Sequence, residues 1–138
     1  ETVMSMMTSL QGAGSFFLYF GVALAAEAAF IALYMAITPH HEWSLIKQGN
    51  VAASISLAGA SIGFTLPLAS AIIHSISLLD MAIWSGVALV VQVAAFWLVD
   101  ILIRGISLRI EQGNVAAGIT LAGASLVIGT INAASMSY

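Results

Sequence analysis

The sequence predicts an all-α polytopic membrane protein whose four transmembrane helices form two tandem parallel hairpin repeats. One reason is composition: the 138 residues have a mean hydropathy of +1.07, and 61% are hydrophobic whereas only 7% are charged. Soluble domains carry about a quarter charged residues, so a soluble core is a poor interpretation. The other reason is a stretch that occurs twice, at 46–61 and at 110–125, with differences at only three positions. This duplication predicts the same helical hairpin in each half of the chain.

The first repeat is predicted at residues 15–73, after an interfacial N-terminal segment at 1–14 that is polar and rich in Met. Helix 15–38 contains a single charged residue, Glu27, and is long enough to cross a bilayer, which takes about 20 mostly apolar residues. Pro39 ends this helix, because proline removes a backbone donor and clashes with the preceding turn.

The connection at residues 39–49 combines this proline with two adjacent His residues, two charged residues and Trp43. We expect it to form a loop at the lipid headgroups, where Trp is enriched. Asn50 is of the residue type that caps helix N-termini, so a second transmembrane helix is predicted from there to about Ile73. Pro67 lies inside this helix and is tolerated, because neighbouring helices or hydroxyl groups satisfy the freed carbonyl.

A tight connecting loop at residues 74–79 leads to the second repeat at 80–138. In this loop Ser77 precedes Asp80 by three residues, which is the spacing of a capping box that opens a helix. The third transmembrane helix is predicted to run from there to about Ile103.

A second loop covers residues 104–113, and Asn114 caps a fourth helix that continues to about Ser135. Because each repeat holds an even number of spans, both repeats insert with the same orientation. All three basic residues lie in the two loops, and the positive-inside rule places these loops in the cytoplasm. We therefore expect both termini to be non-cytoplasmic.

Residue counts disfavour several function classes. The absence of cysteine removes disulfides, thiolate nucleophiles and Cys-based metal sites. Only three Lys and Arg residues are available to neutralise phosphates, so no nucleic-acid partner is expected. His40 and His41 are adjacent and point in different directions, so they are interpreted as part of a solvated loop and no metal site is predicted. With no nucleophile–base pair or phosphate-binding loop, the sequence predicts neither an enzyme nor a cofactor.

Glu27 is the candidate ion-binding residue. A charged side chain near the bilayer centre costs about 2.5 to 3.5 kcal/mol on insertion scales. Such a residue is therefore expected to be paired, protonated or needed for function. The repeat alignment places Gln92 opposite Glu27, and the helical neighbours Phe30 and Tyr34 supply an aromatic lining for a cation. The alternative is that Glu27 stays neutral and joins helices through a hydrogen bond to Gln92 or to a serine.

Small residues recur at helical spacing along the second and fourth helices, and they include Gly59, Gly63 and Gly123. They suit close helix packing, which we favour, but a mildly polar pore lining has the same composition. A repeated tripeptide precedes these helices: Gln48, Gly49 and Asn50 in the first copy, and Gln112, Gly113 and Asn114 in the second. Turn and cap chemistry explains it, although two helix N-termini also suit an anion or a partner.

The repeated motif Gln-Gly-Asn-Val-Ala-Ala, which opens the second helix of each copy and leads to Leu-Ala-Gly-Ala-Ser, supports a family resemblance. The chain resembles the YjfL-type bacterial inner-membrane family, a tandem two-helix domain of unknown function (DUF350-like). The resemblance covers residues 15–135. It implies a multi-pass protein of the bacterial inner membrane with four helices, and it implies no reaction and no established site residues.

Two functions are therefore expected. The first is a proton or small-cation conduit, or a transporter-like subunit, centred on Glu27. The alternative is a non-transporting structural or sensing subunit that binds partner membrane proteins. In both cases the lipid bilayer surrounds the chain, and the small-residue faces favour a homo-oligomer or a place in a larger membrane complex.

Overall fold

The computed structural model describes residues 1–136, which form helices joined by short turns. In chain order the helices are α1 (Thr2–Ile37), α2 (Glu42–Lys47), α3 (Val51–His74), α4 (Leu78–Leu102), α5 (Ile106–Glu111) and α6 (Val115–Ala134). Helices α1, α3, α4 and α6 are long and apolar enough to cross a membrane, which confirms the predicted all-α membrane fold. Residues 137 and 138, the end of the predicted second repeat, lie outside the described residues.

Helix α1 begins at Thr2, so the helix boundary predicted at residue 15 is wrong. Residues 1–14 contain no proline, and their two glycines lower helix propensity without ending the helix. The hydroxyls of Ser5 and Thr8 donate to backbone carbonyls of the preceding turn at 2.8 and 2.9 Å. The 36 residues of α1 extend over about 54 Å at 1.5 Å per residue. This exceeds the roughly 30 Å of a hydrocarbon core. An interfacial position for residues 1–14 stays a prediction.

The two connections predicted as loops each contain a short helix, which corrects the sequence interpretation. Neither α2 nor α5 holds a proline or a glycine, and α5 buries Ile106 and Ile110. Both helices end on a glycine in the left-handed conformation, Gly49 with φ 84° and Gly113 with φ 81°. The residue after each glycine donates its N–H to the carbonyl five residues earlier at 2.9 Å, as in a Schellman motif. Glycine fits here because it has no Cβ to oppose a positive φ.

Side-chain hydrogen bonds cap the N-termini of α3, α4 and α6. The Oδ1 atoms of Asn50 and Asn114 accept the N–H groups three residues later, at 2.9 and 3.3 Å. Ser77 Oγ accepts the N–H of Asp80 at 3.1 Å, as the predicted capping box requires. The Asp80 carboxylate, however, accepts from the N–H of Ile76 and not from that of Ser77.

Helices α3 and α6 form the most extensive helix pair in the bundle. A Cβ atom added to Gly59 would lie 2.3 Å from Cβ of Ala122, and one added to Gly129 would lie 2.1 Å from the carbonyl oxygen of Gly63. These contacts follow the same order along both helices, so the two helices run parallel. Gly123 differs from the other predicted packing glycines, because a Cβ there would meet nothing within 4 Å.

Helix α4 packs against both α3 and α6, whereas α1 packs on α3 and α4. Residues 1–18 are exposed throughout, and the second half of α1 makes the contacts with the bundle. Phe30 stacks on Phe64 with ring centroids 4.7 Å apart, and Tyr34 meets Phe96 edge to face at 6.0 Å. These aromatic contacts hold the second half of α1 against the bundle, including the turn that carries Glu27.

Candidate functional site

Glu27 lies half-buried on the side of α1 that faces α3. Its Oε2 atom is 3.1 Å from the hydroxyl of Thr65, and its Oε1 atom is enclosed without a hydrogen-bond partner. Thr65 Oγ1 is also 2.8 Å from the carbonyl oxygen of Ser61, and this hydroxyl has a single proton to donate. An ionised Glu27 therefore competes with Ser61 for one proton. A protonated Glu27 instead donates to Thr65, which then donates to Ser61.

Gln92, the predicted counterpart of Glu27, belongs to a different site. It is 2% exposed, and its Nε2 donates to the carbonyl of Ser125 at 2.8 Å. Its Oε1 accepts from Nδ2 of Asn132 at 3.4 Å, and the same Nδ2 is 3.2 Å from the carbonyl of Ala88. Gln92 thus joins α4 to α6, and the structure does not bring it together with Glu27.

The predicted aromatic lining also lies elsewhere. Phe30 and Tyr34 are each 1% exposed and belong to the core. Near the middle of α1, Tyr19 and Ala23 line a pocket of about 360 Å³ that reaches Ile72 of α3. The pocket is apolar, and neither Glu27 nor Thr65 is among its lining residues, so it is separate from the carboxyl group.

A second polar cluster was missed by the sequence analysis. His40 is fully buried and Glu42 is 1% exposed, so the interpretation of His40 as part of a solvated loop is wrong, whereas His41 is exposed. The helix-ending Pro39 turns the chain back towards the bundle, and α2 then starts at Glu42. Ser107, the partner of His40, is 67 residues away in the sequence, so no local pattern could reveal the contact.

The cluster combines satisfied and unsatisfied polar atoms. Thr38 Oγ1 contacts Glu42 Oε1, and His40 Nδ1 is 3.0 Å from Ser107 Oγ. His40 Nε2 is 3.2 Å from Glu42 Oε1, but the two atoms lack the direction of a hydrogen bond. Glu42 Oε2 and the hydroxyl of Tyr34 are buried without a partner. Three buried polar atoms of these side chains therefore have no hydrogen-bond partner among the described residues, although one of them, His40 Nε2, is in ion-pair contact with Glu42.

Residues 7–136 match the family described as Domain of Unknown Function (DUF350). This chain belongs to the DUF350 family. It is 40% identical over 124 residues to the UPF0719 inner membrane protein YjfL of Escherichia coli (strain K12), which covers 90% of this chain and 94% of the relative. The YjfL protein of Escherichia coli O157:H7 matches equally well. No solved structure matches.

The comparisons confirm the family resemblance and place this DUF350 protein in the inner membrane, within a family whose function is uncharacterised. The match includes most of α1 and the whole of α3, α4 and α6. It also includes Glu27 and the His40 cluster, so both candidate sites lie inside the DUF350 domain.

The repeated tripeptides of this DUF350 protein lie side by side at one end of the bundle. Gln48, Gly49, Gln112 and Gly113 are among the residues that line a groove of about 370 Å³ between the two turns. Nδ2 of Asn50 crosses to α5 and donates to the carbonyls of residues 110 and 111 at 2.8 and 3.3 Å. The groove also contains a carboxylate from residue 111, which opposes an anion. Turn and cap chemistry accounts for these residues.

Proposed function

We propose that this protein binds a proton or a small cation at Glu27 and carries it across the inner membrane, as a conduit or a transporter-like subunit. The role is a transport role and not an enzymatic one. The observation that supports it is the half-buried Glu27 carboxyl group, which has one enclosed oxygen without a hydrogen-bond partner. The neighbouring Thr65 hydroxyl can donate to an ionised Glu27 or accept from a protonated one.

The charges around Glu27 favour a mobile cation over a permanent salt bridge. The three basic side chains, Lys47, Arg104 and Arg109, all lie in the connections and not in the long helices. Among the described residues, none of them is within ion-pair distance of Glu27. Because an isolated carboxylate is unfavourable in a bilayer, protonation or a bound cation is the remaining way to neutralise it.

Replacing Glu27 by Gln is expected to abolish cation flux while leaving the fold intact. Glutamine keeps the side-chain volume and can still form a hydrogen bond with Thr65, but it cannot exchange a proton. Flux is measured in proteoliposomes that contain a pH-sensitive dye, with an imposed potassium diffusion potential as the driving force. The matched control is Glu111→Gln at the exposed end of α5, which is expected to keep wild-type flux.

The alternative is a non-transporting structural or sensing subunit that acts within a homo-oligomer or a larger membrane complex. Residues 1–18 favour it, because this segment is exposed throughout and presents apolar side chains such as Val3, Leu10 and Phe17 to a partner. The same vesicles decide between the two functions. Wild-type vesicles without flux, together with stoichiometric partners in native purification, would replace transport by the alternative. Flux that is unchanged in Glu27→Gln would remove Glu27 from any transport path.

We infer that both termini are non-cytoplasmic and that the halves are tandem parallel hairpins. The bond from Asn50 to the carbonyl of Ile110 supports this orientation, because it holds both basic connections at one end of the bundle. The chain has no cysteine, so single cysteines can report each side. A membrane-impermeant maleimide added to spheroplasts is expected to label Ile76→Cys and to spare Gln48→Cys and Gln112→Cys. The opposite pattern, or labelling of only one of the two turns, contradicts the orientation.

A further inference from the structure

The first half of helix α1 continues beyond the end of the bundle. Ile72, near the C-terminal end of α3, lines one pocket with Tyr19 of α1, and Tyr19 is the first hydrophobic residue of α1 that packs against the core. Residues 2–18, which we call the projecting segment, are exposed throughout. At 1.5 Å per residue this segment is about 25 Å long.

Lipid tails do not reach the projecting segment of a straight α1. Helix α3 has 24 residues. At 1.5 Å per residue it is about 36 Å long, which already exceeds the roughly 30 Å of a hydrocarbon core. The part of α1 that lies beyond the end of α3 is therefore outside the apolar layer, and its apolar side chains need another cover.

The projecting segment has a polar side, which continues the side of α1 that faces the bundle. Lower down, that side carries residues at steps of three or four, which are Tyr19, Ala23, Ala26 and Phe30. The same steps towards the N-terminus reach Ser15, Gly12, Thr8 and Ser5. These positions are exposed beyond the end of α3, so polar and small residues suit them.

The opposite side of α1 is apolar and forms a continuous seam. Steps that alternate between four and three residues connect Val3, Met7, Leu10, Gly14, Phe17, Gly21 and Leu24. All of them are exposed. Their mean spacing of about 3.5 residues is that of a coiled-coil contact, in which two helices supercoil so that the same side stays against the partner. A contiguous exposed apolar surface of this kind marks an interaction site.

We propose that this seam packs against the same seam of a second copy of the chain, as a parallel two-stranded coiled coil. Copies of one chain insert into a membrane with the same orientation, so their α1 helices run parallel about a twofold axis along the membrane normal. The proposal concerns assembly and does not depend on cation transport at Glu27.

Charge and shape favour a second copy over a different partner. Between Thr2 and Ala26 the chain has no charged residue, so the seam offers nothing that would recognise a charged surface, whereas an identical apolar seam complements it. A Cβ added to Gly14 or Gly21 would have nothing within 4 Å. The space beside both glycines is therefore open, and small residues there let a second helix backbone approach closely.

Disulfide cross-linking of the full chain in native membranes tests the seam, because the chain has no cysteine of its own. Gly14→Cys and Leu10→Cys each place a thiol on the seam, and oxidation with copper phenanthroline is expected to yield a covalent dimer on a non-reducing gel. Such a bond forms only when the two Cβ atoms come within about 3.5–4.5 Å.

Gly12→Cys is the matched control. It makes the same substitution at a glycine that also has nothing within 4 Å. Gly12 lies about 200° around the helix from Gly14, on the polar side, so we expect its cross-link to be weaker by about 10-fold or more.

A second measurement avoids disulfide chemistry. Leu10→Glu brings two like charges together across the seam, and native mass spectrometry is expected to show dissociation of the dimer increased by about 10-fold or more. Ser5→Glu on the polar side is expected to keep the wild-type dimer. Both positions are exposed in the single chain, so neither change is expected to unfold it.

The proposal is overturned if Gly12→Cys cross-links as efficiently as Gly14→Cys, or if the wild-type chain is a monomer in lipid nanodiscs. It is also overturned if Gly14→Cys gives no dimer and a spin label at this position is reached by lipid-dissolved oxygen, which would place the seam on the bilayer surface. A cross-linked product that contains another protein would likewise replace the second copy.

Discussion

Replacing Gly129 by Val is expected to disrupt the packing of α6 against α3. A Cβ on Gly129 would lie 2.1 Å from the carbonyl oxygen and 2.8 Å from the carbonyl carbon of Gly63. These are backbone atoms, so the clash can be relieved only if α3 and α6 move apart. Overpacking typically lowers the free energy of unfolding by about 1–3 kcal/mol, and we expect the upper end or beyond because no side chain can yield. Unfolding of the detergent-solubilised protein measures the change.

Gly123→Val is the matched control on the same helix. A Cβ at Gly123 has nothing within 4 Å, and valine has a somewhat higher helix propensity than glycine. We expect the free energy of unfolding to change by less than about 0.5 kcal/mol, as for a surface substitution. An equal loss of stability in both variants would show that helix propensity or insertion, and not contact with α3, sets the outcome at Gly129.

The helices that local signals define were predicted to within about two residues. The second helix was expected from Asn50 to Ile73 and is observed as Val51–His74, and the fourth was expected to end near Ser135 and ends at Ala134. Their ends are set by Asn caps, glycines and long charge-free runs, which act within a few residues. The start of α1 was not predicted, because its polar and Met-rich residues contain nothing that stops a helix.

Which glycines make close contacts could not be read from the sequence. Gly59 and Gly123 occupy equivalent positions of the repeated stretch, yet Gly59 meets Ala122 whereas Gly123 meets open space. The difference depends on how α3 and α6 are rotated and offset against each other. That arrangement is a property of the pair, and the composition of either helix alone does not contain it.

The contacts of the candidate site residues could not be predicted from the sequence either. The repeat alignment correctly marked Glu27 and Gln92 as polar positions inside long helices, but alignment relates equivalent positions and says nothing of contact. Glu27 contacts Thr65 on α3, and Gln92 contacts α6. The prediction for His40 was wrong because its neighbours in the fold include Ser107, 67 residues away, which only the folded chain brings to it.

Replacing Gln92 by Ala is the other change with a large expected effect. Gln92 is 2% exposed where α4 meets α6, so alanine leaves a cavity and removes the additional hydrogen bond to the carbonyl of Ser125. Large-to-small changes at buried sites cost about 2–5 kcal/mol. Interhelical hydrogen bonds in membranes average only about 0.6 kcal/mol. We therefore expect a loss of about 2–4 kcal/mol in the free energy of unfolding, with lost volume as the larger contribution.

Gln92→Met separates the two contributions, because methionine has a similar volume but cannot replace the bonds to Ser125 and Asn132. We expect it to lose about 1 kcal/mol, close to the sum of two membrane hydrogen bonds. Gln112→Ala, at an exposed turn, is expected to change little. If methionine is as harmful as alanine, hydrogen bonding and not packing holds α4 against α6. If neither variant is destabilised, Gln92 does not join these helices.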